Sequence, residues 1–180
     1  MKNAPEGWQW VRIQDRACPQ CGQDPAARPP WELGEVAADS AAGWKEFLRA
    51  ADDSHLRANP AADVWSPIQY GAHVRDMVRV FGDRILLALR EDDPAVEWFD
   101  PGPEGWAWYN RMPVDELIAD LDDQVRRFAA IVAERGAGDW DRTARRDGVD
   151  RFTVSGLACF AVHEAHHHLL DAQGRIRPAH

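Results

Sequence analysis

Residues 154–172 read VSGLACFAVHEAHHHLLDA, and this stretch decides the fold. Thr153 stands immediately before it and brings the hydroxyl of a helix N-cap. Only Glu164 and Asp171 carry negative charge here; they are seven residues apart and so share one helical face. That face is read as the solvent side, with Glu164 on it. The rest of the circumference is apolar or histidine, and a helix covered on most sides needs several helical neighbours.

The flanking sequence supplies them. A helix is predicted from Trp31 to about Ala51, with Leu33, Val36, Ala37, Trp44, Phe47 and Leu48 at helical spacing. A second opens at Ser66-Pro67, an N-cap followed by proline at the first helical position, and runs to about Arg90. It sets Tyr70, His73, Met77, Val80 and Phe81 against a charged side of Arg75, Arg79, Asp83 and Arg90. A third starts near Pro113, places Leu117, Ile118, Leu121, Val125, Phe128, Ile131 and Val132 on one stripe, and stops at Gly136 and Gly138. Two irregular connections remain: EDDPAVEWFDPGPEGWAWYNRMP (91–113) and DWDRTARRDGVDRF (139–152). No strand run stands out, so the expected fold is an all-α four-helix bundle over residues 31–180. Residues 1–30, rich in Pro, Gly, Trp and Cys, are read as an irregular extension that wraps it and carries a CxxC pair.

The 180 residues include 45% hydrophobic and 28% charged side chains, ordinary for one domain with a real core. Thirty acidic against 21 basic residues give a net charge of −9, which argues against nucleic acid and against anionic lipid as partners. No run approaches a membrane span, and MKNAPEGWQW lacks the apolar core of a signal peptide. Three cysteines are too few for a disulfide framework, so a cytoplasmic location is expected. Nine tryptophans promise large packing anchors, some lining a pocket.

Four of the seven histidines, His163, His166, His167 and His168, fall in the fragment AVHEAHHHLLD. His163 and His167, four apart on a helix, form a ready two-nitrogen clamp for a metal. His73, on the apolar side of the second helix, is the expected third ligand. Three histidines with an open position describe a ligand-binding or catalytic centre; zinc or nickel is expected, though imidazole also suits iron and copper. The competing reading is a histidine-rich surface or hydrogen-bonded core histidines. His163-Glu164-Ala165-His166-His167 also matches HExxH, in which the glutamate is the general base of a metal-dependent hydrolase.

Cys18-Pro-Gln-Cys21-Gly is a CxxC turn with no second CxxC to complete a zinc ribbon. It forms a redox-active disulfide, or gives two ligands to a zinc completed by other residues or another subunit. No βαβ pattern surrounds it, which counts against a thioredoxin-like role. Cys159 shares a face with His163 and His167, as a thiol near the metal or as a small buried hydrophobe.

The segment RRDGVDRFTVSGLACFAVHEAHHHLLD resembles the terminal helix and its lead-in in actinobacterial members of the DinB/YfiT-like superfamily, and WSPIQYGAHVRDMV resembles that family's histidine-bearing helix. The likeness runs from about Trp31 to Ala172, with both motifs in the expected order. It implies a four-helix bundle, often dimeric, with a divalent metal held at positions matching His73, His163 and His167. It further implies thiol S-transferase or isomerase chemistry that uses mycothiol or bacillithiol as cosubstrate. The function expected is therefore transfer of a low-molecular-weight, mycothiol-like thiol to a small electrophile. The thiol would occupy the metal's open position, Trp98, Trp106, Trp108 and Tyr109 would wall the entrance, and Arg145 and Arg146 would meet an anionic substrate. A non-catalytic small-molecule or metal-sequestering protein is the rival from another class, and a metal-dependent hydrolase using Glu164 is the third.

Overall fold

At the start of the second long helix, the Ser66 hydroxyl accepts a hydrogen bond from the Gln69 backbone N–H, while the Gln69 side chain accepts one from the Ser66 N–H at 2.9 Å. This reciprocal cap, with Pro67 at the first turn, launches α3 (Pro67–Arg90) where the sequence places it. The computed structural model describes residues 9–62, 64–146 and 150–176. The first eight residues of the extension, and 147–149 in the lead-in to the last helix, lie outside them.

The other long helices are α1 (Leu33–Ala50), α5 (Val114–Ala133) and α6 (Val154–Ala172), with two short ones, α2 (Asp53–Arg57) and α4 (Gly102–Tyr109), between them. The buried residues of α5 are the seven of the predicted stripe, Leu117 to Val132. α6 is capped by the Thr153 hydroxyl, which accepts from the Gly156 N–H at 2.9 Å, and it is buried around most of its circumference. α6 packs against α3 and α1, and α5 packs against the same two, so the four close into an all-α bundle. From α1, fully buried Trp44 donates its indole N–H to the Ala165 carbonyl of α6 at 2.8 Å. Among the described residues, no helix is long and apolar enough to cross a membrane.

Two regions depart from the sequence reading. The connections expected to be irregular contribute a three-stranded sheet: β1 (Ala95–Val96) runs parallel to β2 (Thr143–Arg146), which pairs antiparallel with β3 (Asp150–Thr153). The strands are too short for a period to show, and only Val96, Ala144, Arg146 and Phe152 turn inward. Residues 9–32 form 3-10 turns at Trp10–Gln14, Pro25–Ala27 and Pro30–Glu32, all seated on α6. Gln14 holds the first turn to β3, accepting from the Thr153 N–H at 3.3 Å and donating to the Arg151 carbonyl at 3.1 Å. Gly156 makes that seat available, since a Cβ there would come within 2.9 Å of the Gln14 Cβ.

Candidate metal centre

One turn of α6 presents two overlapping i, i+4 pairs, His163 with His167 and Glu164 with His168. One residue along a helix is a rotation of roughly 100°, so the two pairs point in different directions. The structure accordingly groups the three predicted ligands differently from the sequence reading. His73 meets Glu164 and His168, whereas His163 and His167 meet Cys18 and Cys21. In each group the potential ligand atoms all lie within 4.8 Å of one another.

The first group is built between α3 and α6. His73 Nε2 and His168 Nε2 approach the same oxygen, Glu164 Oε2, at 3.2 and 3.3 Å. Glu164 is 0% exposed, not on the solvent side where its charge had placed it. Burial opposes its ionisation, but the charge on His168 and the hydrogen bonds of both histidines hold its carboxyl well below the usual range. Burial pushes His73 down, against the hydrogen bond to Glu164. For His168 burial works in the same sense, yet Glu164 and Asp171 prevail and push it up to about 9. Asp171 Oδ2 lies 2.8 Å from His168 Nδ1 and fixes the ring.

A divalent cation fits this donor set. His73 Nδ1 and Glu164 Oε1 are buried without a partner in hydrogen-bond geometry, a costly arrangement for the protein alone. Two imidazoles and one carboxylate are also an open set, leaving coordination positions for other ligands.

Aromatic rings pack around these histidines. Trp106 stacks on His73 with centroids 5.8 Å apart, Trp65 packs tilted against Trp106 at 4.0 Å, and Tyr70 lies 5.2 Å from His168. A narrow cleft lined by His73, Met77, Phe81 and Phe160 also touches Arg84, Trp98, Phe99 and Arg146. Arg84, Trp98 and Phe99 line an open groove of about 490 Å³ on the outside as well, and so divide groove from cleft. Of the residues proposed to wall an entrance, Trp98 and Trp106 therefore lie at the site. Trp108 is half exposed, and the Tyr109 hydroxyl donates to buried Asp76. Arg146 lines the cleft, stacked over Trp98 and paired with Asp150, whereas Arg145 is on the surface with Asp93.

In the second group, Cys18 Sγ lies 3.6 Å from His167 Nδ1, and Trp10 packs against the rings of His163 and His167 at 5.5 Å from each. The Cys21 hydrogen bond, aided by the two histidines, holds the Cys18 thiol down, while Cys21 is pushed up by that same bond and by burial. Cys159 is not in the group; it is buried among apolar neighbours, and burial raises its thiol to about 12.

Sequence reasoning missed Glu164 and His168 as partners, and also Trp65. The signal was present, because Glu164 and His168 are also four apart. Which of two adjacent pairs faces α3 depends on the rotation of α6, which the packing of Trp44 and the N-terminal turns settles.

A family model described as the DinB superfamily matches residues 38–172. Comparison with curated proteins finds no significant match. Among solved structures, the chain is similar to YfiT from Bacillus subtilis, described as a probable metal-dependent hydrolase with an unusual four-helix bundle topology. The two share 19% identity with a TM-score of 0.71, over 80% of this chain and 83% of that one, a likeness of fold.

Proposed function

The chain belongs to the DinB superfamily, and we propose that it is a metal-dependent enzyme acting on a small molecule at the centre of His73, Glu164 and His168. One observation carries this reading: two histidines and a fully buried carboxylate converge beside an aromatic cleft. A divalent cation held there would lower the pKa of a coordinated thiol or water and supply a nucleophile at neutral pH. The preferred reaction is transfer of a low-molecular-weight thiol, mycothiol-like, to a small electrophile.

The chain's own residues define the rest. Glu164 supplies the negative charge that favours a cation over a proton between the two rings. Trp106 and Trp65 hold His73 in place and keep bulk water from it. Met77, Phe81 and Phe160 give the cleft an apolar floor, and its side is lined by Arg84, which donates to the Glu97 carbonyl, and by Arg146, which is paired with Asp150. At about 20 Å³ the cleft has room for about one water molecule, so a small substrate would enter only as its walls part.

A second reading, hydrolysis, is favoured by the ligand set, since two histidines and a glutamate also occur in metal hydrolases. It would not use Glu164 as a free base, because that carboxylate sits between two imidazoles. The test is turnover by metal-loaded protein. With mycothiol and monobromobimane, the thiol reading expects conjugation above the uncatalysed rate, lost in His73→Ala. No conjugation but hydrolysis of an activated ester would favour water as the nucleophile. Neither reaction, with metal bound, would leave a sequestering protein.

A further inference from the structure

We propose that Cys18, Cys21, His163 and His167 form a second metal site, a closed zinc site that fastens the N-terminal turns to α6. The four donors come together from residues 149 apart in sequence, with all their potential ligand atoms within 4.8 Å. Cys-x2-Cys and His-x3-His are the spacings with which tetrahedral structural zinc is held. The cysteine half is shaped for it. The Gly22 N–H donates to the Cys18 carbonyl at 2.9 Å and the Cys18 N–H donates to the Gln23 carbonyl at 2.9 Å. This closes a tight knuckle in which Gly22 takes φ +73°, a conformation that suits glycine. Both thiols are free rather than joined as a disulfide.

The histidine half gives an independent sign. His163 is 0% exposed, and neither of its ring nitrogens has a partner in hydrogen-bond geometry; Glu164 Oε1 stands 3.9 Å from Nδ1. A buried imidazole with both nitrogens unsatisfied is rare unless something else takes a lone pair. His167 turns Nδ1 toward Cys18 and Nε2 toward Asp171, whose oxygen lies 3.6 Å away. A carboxylate behind the ring is the usual support of a metal-bound histidine. Two thiolates and two imidazoles complete a tetrahedral shell with no position left for substrate, so the role is structural. The cysteines also precede the residues that the family model matches, which marks this as a feature of the chain's own extension. The site stands whether or not the His73 centre turns over substrate.

The experiment is cobalt substitution in the His73→Ala variant of the full chain, which disables the other centre and leaves this one whole. One cobalt per chain is expected, with tetrahedral visible bands and a thiolate-to-cobalt charge-transfer band in the near ultraviolet. Titration of two thiols with a mercurial should release one equivalent of zinc from the zinc form, and Cys18→Ser should abolish the charge-transfer band. Cobalt bound without that band would overturn the proposal. So would absence of metal after reconstitution of a folded protein, or a Cys18–Cys21 disulfide in protein purified without air. Because the spectrum is read with both cysteines present, misfolding of Cys18→Ser cannot decide the outcome. Loss of turnover in His73→Ala with the charge-transfer band retained would separate the two sites.

Discussion

His163 and His167 face the N-terminal turns, whereas Glu164 and His168, one position further along α6, face α3 and the aromatic cleft. The spacing within each pair is the same, and only the partners differ. One pair meets two thiols, making four potential donors, and the other meets a single imidazole, making three beside a cleft. A repeated i, i+4 pattern therefore does not say what a helix binds. The elements packed on each face decide that, and a roughly 100° offset gives two adjacent pairs two different chemistries.

The sharpest way to break this comparison is Glu164→Gln. The change keeps the shape but removes the charge between His73 and His168, and turnover should fall to the uncatalysed background. The cysteine-bound metal should persist, as read by elemental analysis beside a count of mercurial-reactive thiols. Simultaneous loss of both metals would mean that the pairs act as one centre.

Next in size is Trp44→Ala. Its indole bond to Ala165 anchors α6 between the two pairs, and truncating so large a buried side chain should cost about 3–5 kcal/mol in urea unfolding. Unlike Glu164→Gln, it should weaken both centres together. A cost below about 1 kcal/mol would mean that α1 does not set the rotation of α6. Asp171→Asn sharpens the comparison from the other side, because Asp171 faces His167 at 3.6 Å and His168 at 2.8 Å. Loss of a carboxylate behind a ligating histidine should lower metal affinity roughly 10–100-fold. Competition with a chromogenic chelator should show the larger drop on the His168 side, where the contact is closer.

Much of the fold was legible because periodicity is a long-window signal. The α5 stripe and the buried circumference of α6 each average over many residues, and the Ser66 cap is local chemistry. The small sheet was not legible, since β1 and β2 pair across about fifty residues with two to four residues each. His73 lies in the interior, and His163 stands beside His167, but the structure sets His73 in a separate group from them. Glu164 was misplaced because a charged residue was assigned to water. Here two histidines approach one oxygen of the carboxylate inside the bundle, a compensation visible only once α3 and α6 are packed. The partnership of Cys18 with His167 was equally out of reach, because nothing local to either reports a contact across 149 positions.

The smallest effect concerns Cys159, which shares a helical face with His163 and His167 but stays outside both groups. Burial raises its thiol from 9.0 to about 12, so the folded protein favours the protonated form more than the unfolded chain does. For such a group the stabilising contribution is full below pH 9 and is lost as pH rises toward 12. In urea titrations, Cys159→Ala should cost about 1 kcal/mol near neutrality from lost packing. That deficit should shrink by about 1 kcal/mol between pH 9 and pH 10, because the variant has no thiol to ionise on unfolding. Iodoacetamide should leave Cys159 unmodified in the native protein at pH 8. Rapid alkylation there, or a deficit that grows with pH, would instead make Cys159 an active thiol of the site, and the division of this face of α6 would need redrawing.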